Sequence, residues 1–335
     1  MHRLKVPAIL YDDLSEHPAV RAWRSLGPAR LVPDGIHILR ERAKSSIYRL
    51  DGVGVGGSAV IAKRSRSSRV AIERTIYEEI LPHLPMTAPH YYGSSEDGGD
   101  LSWLFLEDVG AERYSVSNDE HLALAGRWVG RMHTSVARAA GAARLRAHLP
   151  GGGPGRYLEH LRSARRSIRA NLSNPALTPD EVALLEAILS LHDRLEATWD
   201  RVEESCQGMP PTLVHGDFRP KNAYVRSEPA GLSLFPIDWE MAGWGPPAAD
   251  LARVDLVAYG SVVREDWPNL DARSLQKLAR VGQVFRFLAG IGWESPGLAY
   301  GTRELLSKPM ADMRVLHADL SNAMRAVERT DGETW

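Results

Sequence analysis

Two short segments of this 335-residue chain gather residue types that can do chemistry together. The first, Val214-His215-Gly216-Asp217-Phe218-Arg219-Pro220-Lys221-Asn222, sets an aspartate and an asparagine five residues apart behind an apolar stretch. Gly216 and Pro220 force it into a loop. The second, Phe235-Pro236-Ile237-Asp238-Trp239-Glu240, ends an apolar stretch on an aspartate. The residues between read as strand, turn and strand around Ala230, which lies eight residues from both Asn222 and Asp238. A hairpin about that centre sets Asn222 opposite Asp238, about 5 Å apart at Cα. An amide and a carboxylate so placed suit Mg²⁺, which takes one or two carboxylates and completes its shell with waters and phosphates. Asp217 then remains to accept a hydroxyl proton. The chemistry this arrangement supports is phosphoryl transfer to an alcohol, in which positioning and charge neutralisation do most of the work. Arg219 and Lys221 add two positive charges inside the same loop, suited to transferring phosphate or to an anionic acceptor.

Elements must position these groups. Ile36–Leu39, Ser46–Leu50 and Ser58–Ala62 read as strands, with Gly52 to Gly57 as the turn between the last two. Val70 to Leu84 has helical periodicity, and Trp103-Leu-Phe-Leu reads as a buried strand ending at Glu107. After Gly110 the pattern turns helical. Ser117 with Glu120 forms one expected capping box, opening a helix to about Ala140, and Thr178 with Glu181 forms another. A helix spans Arg156–Leu172, a strand–turn–strand Leu213–Trp239, and helices the rest from about Ala248. This gives an α+β chain with three expected parts: an N-terminal extension over 1–33, a small β-rich lobe over 34–110 and a larger helical lobe over 111–335. A short helix at His17–Leu26 falls in the extension.

Gly52, Gly54 and Gly57 fit G-x-G-x-x-G, but a dinucleotide fingerprint needs a helix straight after the glycines. Ser58-Ala-Val-Ile-Ala follows instead, and Gly57 is only six residues before Lys63. A plain turn is the better reading. The preceding turn, Arg42-Ala-Lys-Ser45-Ser46, is better placed to cover a phosphate with backbone N–H groups and two hydroxyls.

His215-Gly-Asp217-x-x-x-x-Asn222 followed by Ile237-Asp238-Trp-Glu resembles the catalytic and metal loops of the aminoglycoside phosphotransferase and choline kinase-like family. Gly245-Pro-Pro-Ala-Ala-Asp250-Leu-Ala resembles the segment that follows there. Ala59-Val-Ile-Ala-Lys63 resembles that family's third-strand lysine, Glu73-Arg-Thr-Ile-Tyr77 the helix whose glutamate holds it, and Leu104-Phe-Leu-Glu-Asp-Val-Gly110 the hinge that binds adenine. The matches run in family order from about residue 36 to 255. The resemblance implies a two-lobed, protein-kinase-like fold using ATP and Mg²⁺. It implies Asp217 as the catalytic aspartate, Asn222 and Asp238 as metal ligands and Lys63, kept in place by Glu73, as the contact to the α/β-phosphates. Glu107 and Val109 would offer a carbonyl and an N–H to adenine.

Each of these residues also has a plainer reading. His215 reads as a structural histidine of the loop, Asp250 as a brace at a helix start, and Glu240 as a metal neighbour or a solvated residue. Arg162, Arg165, Arg166 and Arg169 share one face of their helix. They form either a solvated flank or a wall, with Arg166 and Arg169 foremost, that selects an anionic acceptor. Trp244, Trp267 and Trp293 are either core aromatics or stacking platforms.

Composition bounds the rest. Forty-one basic against 42 acidic residues give a net charge of −1, which argues against a general nucleic-acid binder. Only six of the 41 are lysine, so Lys63 and Lys221 stand out in their segments. One cysteine, Cys206, excludes an intrachain disulfide and fits a reducing compartment. No apolar run approaches the ~20 residues of a membrane span, and the first is too short for a signal-peptide core. The expectation is a cytoplasmic kinase acting on a hydroxyl of a small molecule: a metabolite, sugar, amino alcohol or aminoglycoside-like acceptor. A catalytically silent nucleotide-binding scaffold is the alternative. A metal-dependent hydrolase is disfavoured, since no H-E-x-x-H, G-x-S-x-G or Walker G-K-[ST] occurs.

Overall fold

The structure, a computed structural model, describes residues 13–42, 45–110, 112–139 and 146–331. The chain divides into two compact units, Met1–Leu124 with Arg219–Ala242, and Ala125–Phe218 with Gly243–Trp335. Among the described residues, 13–33 group with the β-rich unit, as does the hairpin of residues 223–236.

In the first unit, helix α1 (Pro18–Ser25) precedes strands β1 (Gly35–Arg42), β2 (Ser45–Asp51) and β3 (Val60–Arg66). Helix α2 (Ser67–Arg74) continues through a π turn over Thr75–Ile80. Strands β4 (Tyr91–Glu96) and β5 (Leu101–Glu107) complete an antiparallel sheet of order β1-β2-β3-β5-β4. Side chains alternate along a strand, which sorts β3. Val60 and Ala62 enter a core with Ala19, Val20 and Trp23 of α1, and with Tyr48, Leu50, Trp103 and Phe105. Lys63 therefore points to the opposite face, toward α2. The helix placed in the expected extension is thus one wall of this unit's core. Strand β4 escapes the sequence reading because Tyr-Tyr-Gly-Ser-Ser-Glu is polar and is broken by a register shift at Gly93, whose φ is +134°. The turn of Gly52 to Gly57 is confirmed as a loop, with left-handed φ at Gly52, Gly56 and Gly57.

Helix α3 (Asp119–Arg138) leads into the second unit. Its cap is Asn118, whose Oδ1 accepts from the N–H groups of Glu120 and His121, rather than the expected Ser117. Ser117 instead bonds to Ser115. Helices α4 (Pro154–Asn171), α5 (Pro179–Ala197) and α6 (Trp199–Cys206) follow, and Thr178 closes the expected capping box with Glu181. Strand β6 (Thr212–Val214) leads into His215-Gly216-Asp217. Strands β7 (Ala223–Glu228) and β8 (Gly231–Pro236) return to the first unit as a hairpin. Strand β9 (Gly243–Gly245) pairs with β6, so the expected strand–turn–strand is two separate ladders. Helices α7 (Ala248–Leu251), α8 (Leu256–Val263), α9 (Ala272–Glu294) and α10 (Arg303–Asp331) finish the chain. Among the described residues, no helix is long and apolar enough to cross a membrane.

Candidate active site

The β-rich unit carries a buried charge cluster at the centre of its sheet. Lys63 lies on β3 between Ile47 of β2 and Leu104 of β5. Its Nζ donates to Glu73 Oε2 at 2.7 Å and to Asp238, with Glu240 Oε2 3.9 Å away. Glu73 is fully buried, and its second oxygen accepts from the Trp239 N–H at 3.2 Å. Burial opposes charge on Lys63, but Glu73, Asp238 and Glu240 outweigh it and hold the ammonium above its ordinary range. Burial lifts the Glu73 carboxyl to about 7 against the pull of Lys63. Arg69, one helical turn before Glu73, donates to Glu240 at 3.0 Å. Sequence reasoning missed Arg69, although its i,i+4 spacing to Glu73 marked the same face of α2.

The hairpin delivers Asp238 and Asn222, with a correction to the expected register. Ala223 pairs with Pro236, so the turn centres between Pro229 and Ala230. Asn222 therefore faces Ile237, whose N–H donates to the Asn222 carbonyl at 2.8 Å. A one-residue slip would send Asp238 to the wrong face of a regular strand. The chain compensates by twisting: Asp238 adopts φ +66°, the one non-glycine residue with positive φ among those described. Holding a non-glycine residue there costs about 1–2 kcal/mol. Asn222 is buried. Asp238 and Asn222 offer hard oxygens of the kind Mg²⁺ takes when phosphates supply most of its shell. Among the described residues, no group of three or more His, Cys, Asp or Glu side chains would hold a metal unaided. The donors fit an ion that arrives with a nucleotide.

The segment expected to bind adenine is clamped by arginines. The Glu107 carboxylate pairs with Arg226 of β7 at 2.7 Å, and Asp108 pairs with Arg49 of β2 at 2.7 Å. The N–H groups of Glu107 and Asp108 bond to the His90 and Ala59 carbonyls, and Val109 is buried. Ser45 and Ser46 open β2; Ser45 accepts from Arg40, and Ser46 is buried. Lys44 of that turn lies outside the described residues. Lys221 is exposed, and its carbonyl accepts from Arg113.

The second unit holds the loop that carries Asp217. Asp250, fully buried at the start of α7, accepts from the N–H groups of His215 at 2.7 Å and Gly216 at 2.9 Å. His133 of α3 approaches the same carboxylate at 3.3 Å and bonds through its other nitrogen to Tyr259 at 3.0 Å. Burial pushes the Asp250 carboxyl up, but these hydrogen bonds and the neighbouring histidines hold it below its ordinary value. Gly216 has φ +75°, which a side chain would strain. Asp217 N–H then donates to His215 Nδ1 at 3.3 Å. His215 thus shapes the loop, and Asp250 braces it. His133 had no sequence signal, being one histidine among apolar helix residues.

The arginine face of α4 is neutralised. Arg162 and Arg165 pair with Glu196, Arg165 and Arg169 with Asp193, and Arg166 with Glu159. The facing helix α5 supplies Asp193 and Glu196, so these arginines bind their own fold. Trp267 is buried, and Trp293 meets His160 edge-on at 6.4 Å.

Comparison with known proteins agrees with this fold. A family model described as "Phosphotransferase enzyme family" matches residues 37–291, extending beyond the 36–255 expected from motifs. No curated protein matches the chain. Among solved structures, the GDP and kanamycin complex of APH(2")-IIia is 14% identical with TM-score 0.60, over 90% of this chain and 98% of that one. An ethanolamine kinase of Plasmodium vivax is 14% identical with TM-score 0.54, over 84% and 80%. A microcompartment-associated aminopropanol kinase is 16% identical with TM-score 0.54, over 88% and 93%. At these identities the likeness establishes a protein-kinase-like α+β fold. The family match over most of the length establishes the rest: the chain belongs to the phosphotransferase enzyme family.

Proposed function

We propose that this protein moves the γ-phosphate of ATP, with Mg²⁺, to a hydroxyl of a small molecule. The observation that carries the reading is the cluster of Lys63, Glu73 and Asp238, a buried ammonium shared by two carboxylates on a central strand. Such a lysine is held charged and fixed, ready to meet nucleotide phosphates. Glu73 keeps its stem aligned, and the Trp239 N–H fixes Glu73 in turn. Asn222 and Asp238 would hold the magnesium ion, which supplies neutralisation of phosphate charge. Glu107 and Val109 would take the base, and the turn at Ser45 and Ser46 lies on the strand next to β3. In the other unit, Asp217 would orient the acceptor hydroxyl and receive its proton as the O–P bond forms. Arg219 and Lys221 would meet the charge of the transferring group. The solved relatives include kinases of ethanolamine and of aminopropanol, which supports an alcohol acceptor.

The test is an ATP-consumption screen across aminoglycosides, amino alcohols, sugars and sugar acids, with Asp217→Ala beside the wild type. Turnover that vanishes in the variant, with nucleotide binding kept, is the expected outcome. Wild-type turnover in Asp217→Ala would refute the assignment. The pairing of Lys63 with Asp238 is also what a silent nucleotide-binding scaffold would have. Bound ATP without transfer to any acceptor class would select that second reading.

A further inference from the structure

The helix that carries Glu73 does not continue regularly. After Arg74 it widens into a π turn over Thr75–Ile80. Such turns are rare and gather at functional sites. Neither glycine nor proline lies within Thr75-Ile76-Tyr77-Glu78-Glu79-Ile80. The turn buries Ile76, Tyr77 and Ile80. Ile76 and Ile80 are plain core residues. Tyr77 differs, because its hydroxyl is buried along with its ring.

Tyr77 stands four residues after Glu73, so the two share one face of the coil. Both reach the same two residues of the turn after β8. Glu73 accepts from the Trp239 N–H at 3.2 Å. The Tyr77 oxygen accepts from the Asp238 backbone and from the Trp239 side chain, in contacts at the limit of hydrogen-bonding geometry. The ring itself is stacked on Tyr91 of β4, with centroids 6.3 Å apart and planes 12° apart. All of these residues belong to the first unit.

Asp238 is the residue that needs such support, since its φ is +66°. A non-glycine residue stays left-handed only where its surroundings over-determine it. Lys63 holds the Asp238 carboxylate, but a carboxylate on a rotatable stem does not by itself fix the backbone. Glu73 holds the main chain one residue later. Tyr77 supplies a contact to the Asp238 main chain itself.

We infer that Tyr77 is a positioning residue: through the Asp238 backbone it fixes the left-handed turn that presents the Asp238 carboxylate to Lys63 and to a nucleotide-bound Mg²⁺. The inference rests on the phosphotransferase reading given above. Mg²⁺ demands near-ideal octahedral geometry, so a ligand that wanders is felt at the metal first. Lys63 and Glu73 keep their own 2.7 Å bond whether or not Tyr77 carries a hydroxyl.

The test is calorimetry of ADP binding, in Mg²⁺ and in EDTA, by the whole chain and by Tyr77→Phe, which keeps the ring and removes the hydroxyl. Mg²⁺ should tighten ADP binding to the wild type by about tenfold or more. In Tyr77→Phe that gain should shrink by about fivefold or more, the least that left-handed strain is worth, while ADP affinity in EDTA stays within about twofold. The Mg²⁺ concentration for half-maximal ATP consumption should rise by the same factor. A residue that only fills the core would change ADP affinity equally in both media. An unchanged Mg²⁺ gain in folded Tyr77→Phe would therefore overturn the inference and leave the phosphotransferase reading intact. Tyr91→Leu removes the ring on which Tyr77 stacks and should also shrink the gain. Where Tyr77→Phe fails to fold by circular dichroism, Tyr91→Leu decides, and an unchanged gain there would overturn the inference. Tyr91→Phe removes a phenol hydroxyl that bonds to Ser94 instead, and should leave the gain as it is. A wild type that binds no ADP in either medium would overturn both readings.

Discussion

Replacing Asp250 by asparagine tests whether the loop bearing Asp217 is held by a charge. The carboxylate is fully buried and accepts two backbone N–H groups, at 2.7 and 2.9 Å, with His133 a third neighbour at 3.3 Å. Hydrogen bonds to a charged acceptor are worth about 1.5–3 kcal/mol each, against about 1 for neutral pairs. Asparagine keeps one acceptor oxygen and turns an NH₂ toward the remaining donors. At least one buried N–H is then unmet, at about 1–3 kcal/mol. Together these give a loss of about 3–5 kcal/mol, the range seen when a buried charged pair is broken. For a body of 150–250 residues at about 2–4 °C per kcal/mol, the melting midpoint should fall by about 10 °C. Thermal and urea unfolding of the whole chain measure this. Turnover should fall more than nucleotide affinity, because the loop bearing Asp217 loses its brace while the Lys63 cluster is untouched. The carboxyl sits below its ordinary value of 3.8 when folded, so its contribution is present above about pH 4 and lost as pH falls through the folded value. Asp250→Asn should lack that acid-dependent step. A loss under about 1 kcal/mol, with turnover unchanged, would refute the brace.

Three further outcomes follow from the same structure. Lys63→Met leaves Glu73 buried and uncompensated, and should cost about 3–5 kcal/mol; adding Glu73→Gln should restore most of the stability by urea titration but none of the turnover. His192, buried on α5 with neither ring nitrogen bonded, is held down to about 4 by burial and Arg165, with His317 adding to this and Asp193 and Glu196 opposing. Its unfolded form takes a proton near 6.5, so stability should fall by about 3 kcal/mol between pH 6.5 and 4, and His192→Leu should remove that slope and raise the melting point at pH 7. Asp238→Asn keeps a residue tolerant of left-handed backbone but removes the partner of Lys63; a near-normal melting point with turnover reduced at least a hundredfold is expected by calorimetry and ATP consumption.

Much of the site was legible because its residues are close in sequence. The Asp217–Asn222 segment, the Asp238 segment and the hairpin between them announce themselves through spacing and turn residues. The hairpin register was not legible to one residue, since Pro229 and Ala230 are both acceptable at a turn centre. The role of Asp238 depends on that residue, and it is recovered only through a left-handed twist that no pattern displays. The arginines of α4 are a different case. Helical periodicity shows that they share a face but not that Asp193 and Glu196 of another helix neutralise it. Partners distant in sequence, such as His133 with Asp250 or Glu73 with the Trp239 N–H, exist only once the chain has folded.

The first unit is assembled from two stretches of chain, with Ala125–Phe218 between them. During synthesis its five-stranded sheet emerges complete while Lys63 and Glu73 still lack Asp238 and the Trp239 N–H. The pair of Lys63 and Glu73 is completed only when the hairpin arrives, tied on by Thr87 to the Leu234 carbonyl and by Arg226 to Glu107. A nascent chain stalled before residue 219 would thus leave Lys63 without Asp238. Cutting the gene at the end of the sheet would not yield the complete charge cluster. Supplying residues 219–242 as a separate peptide would be the minimal complementation.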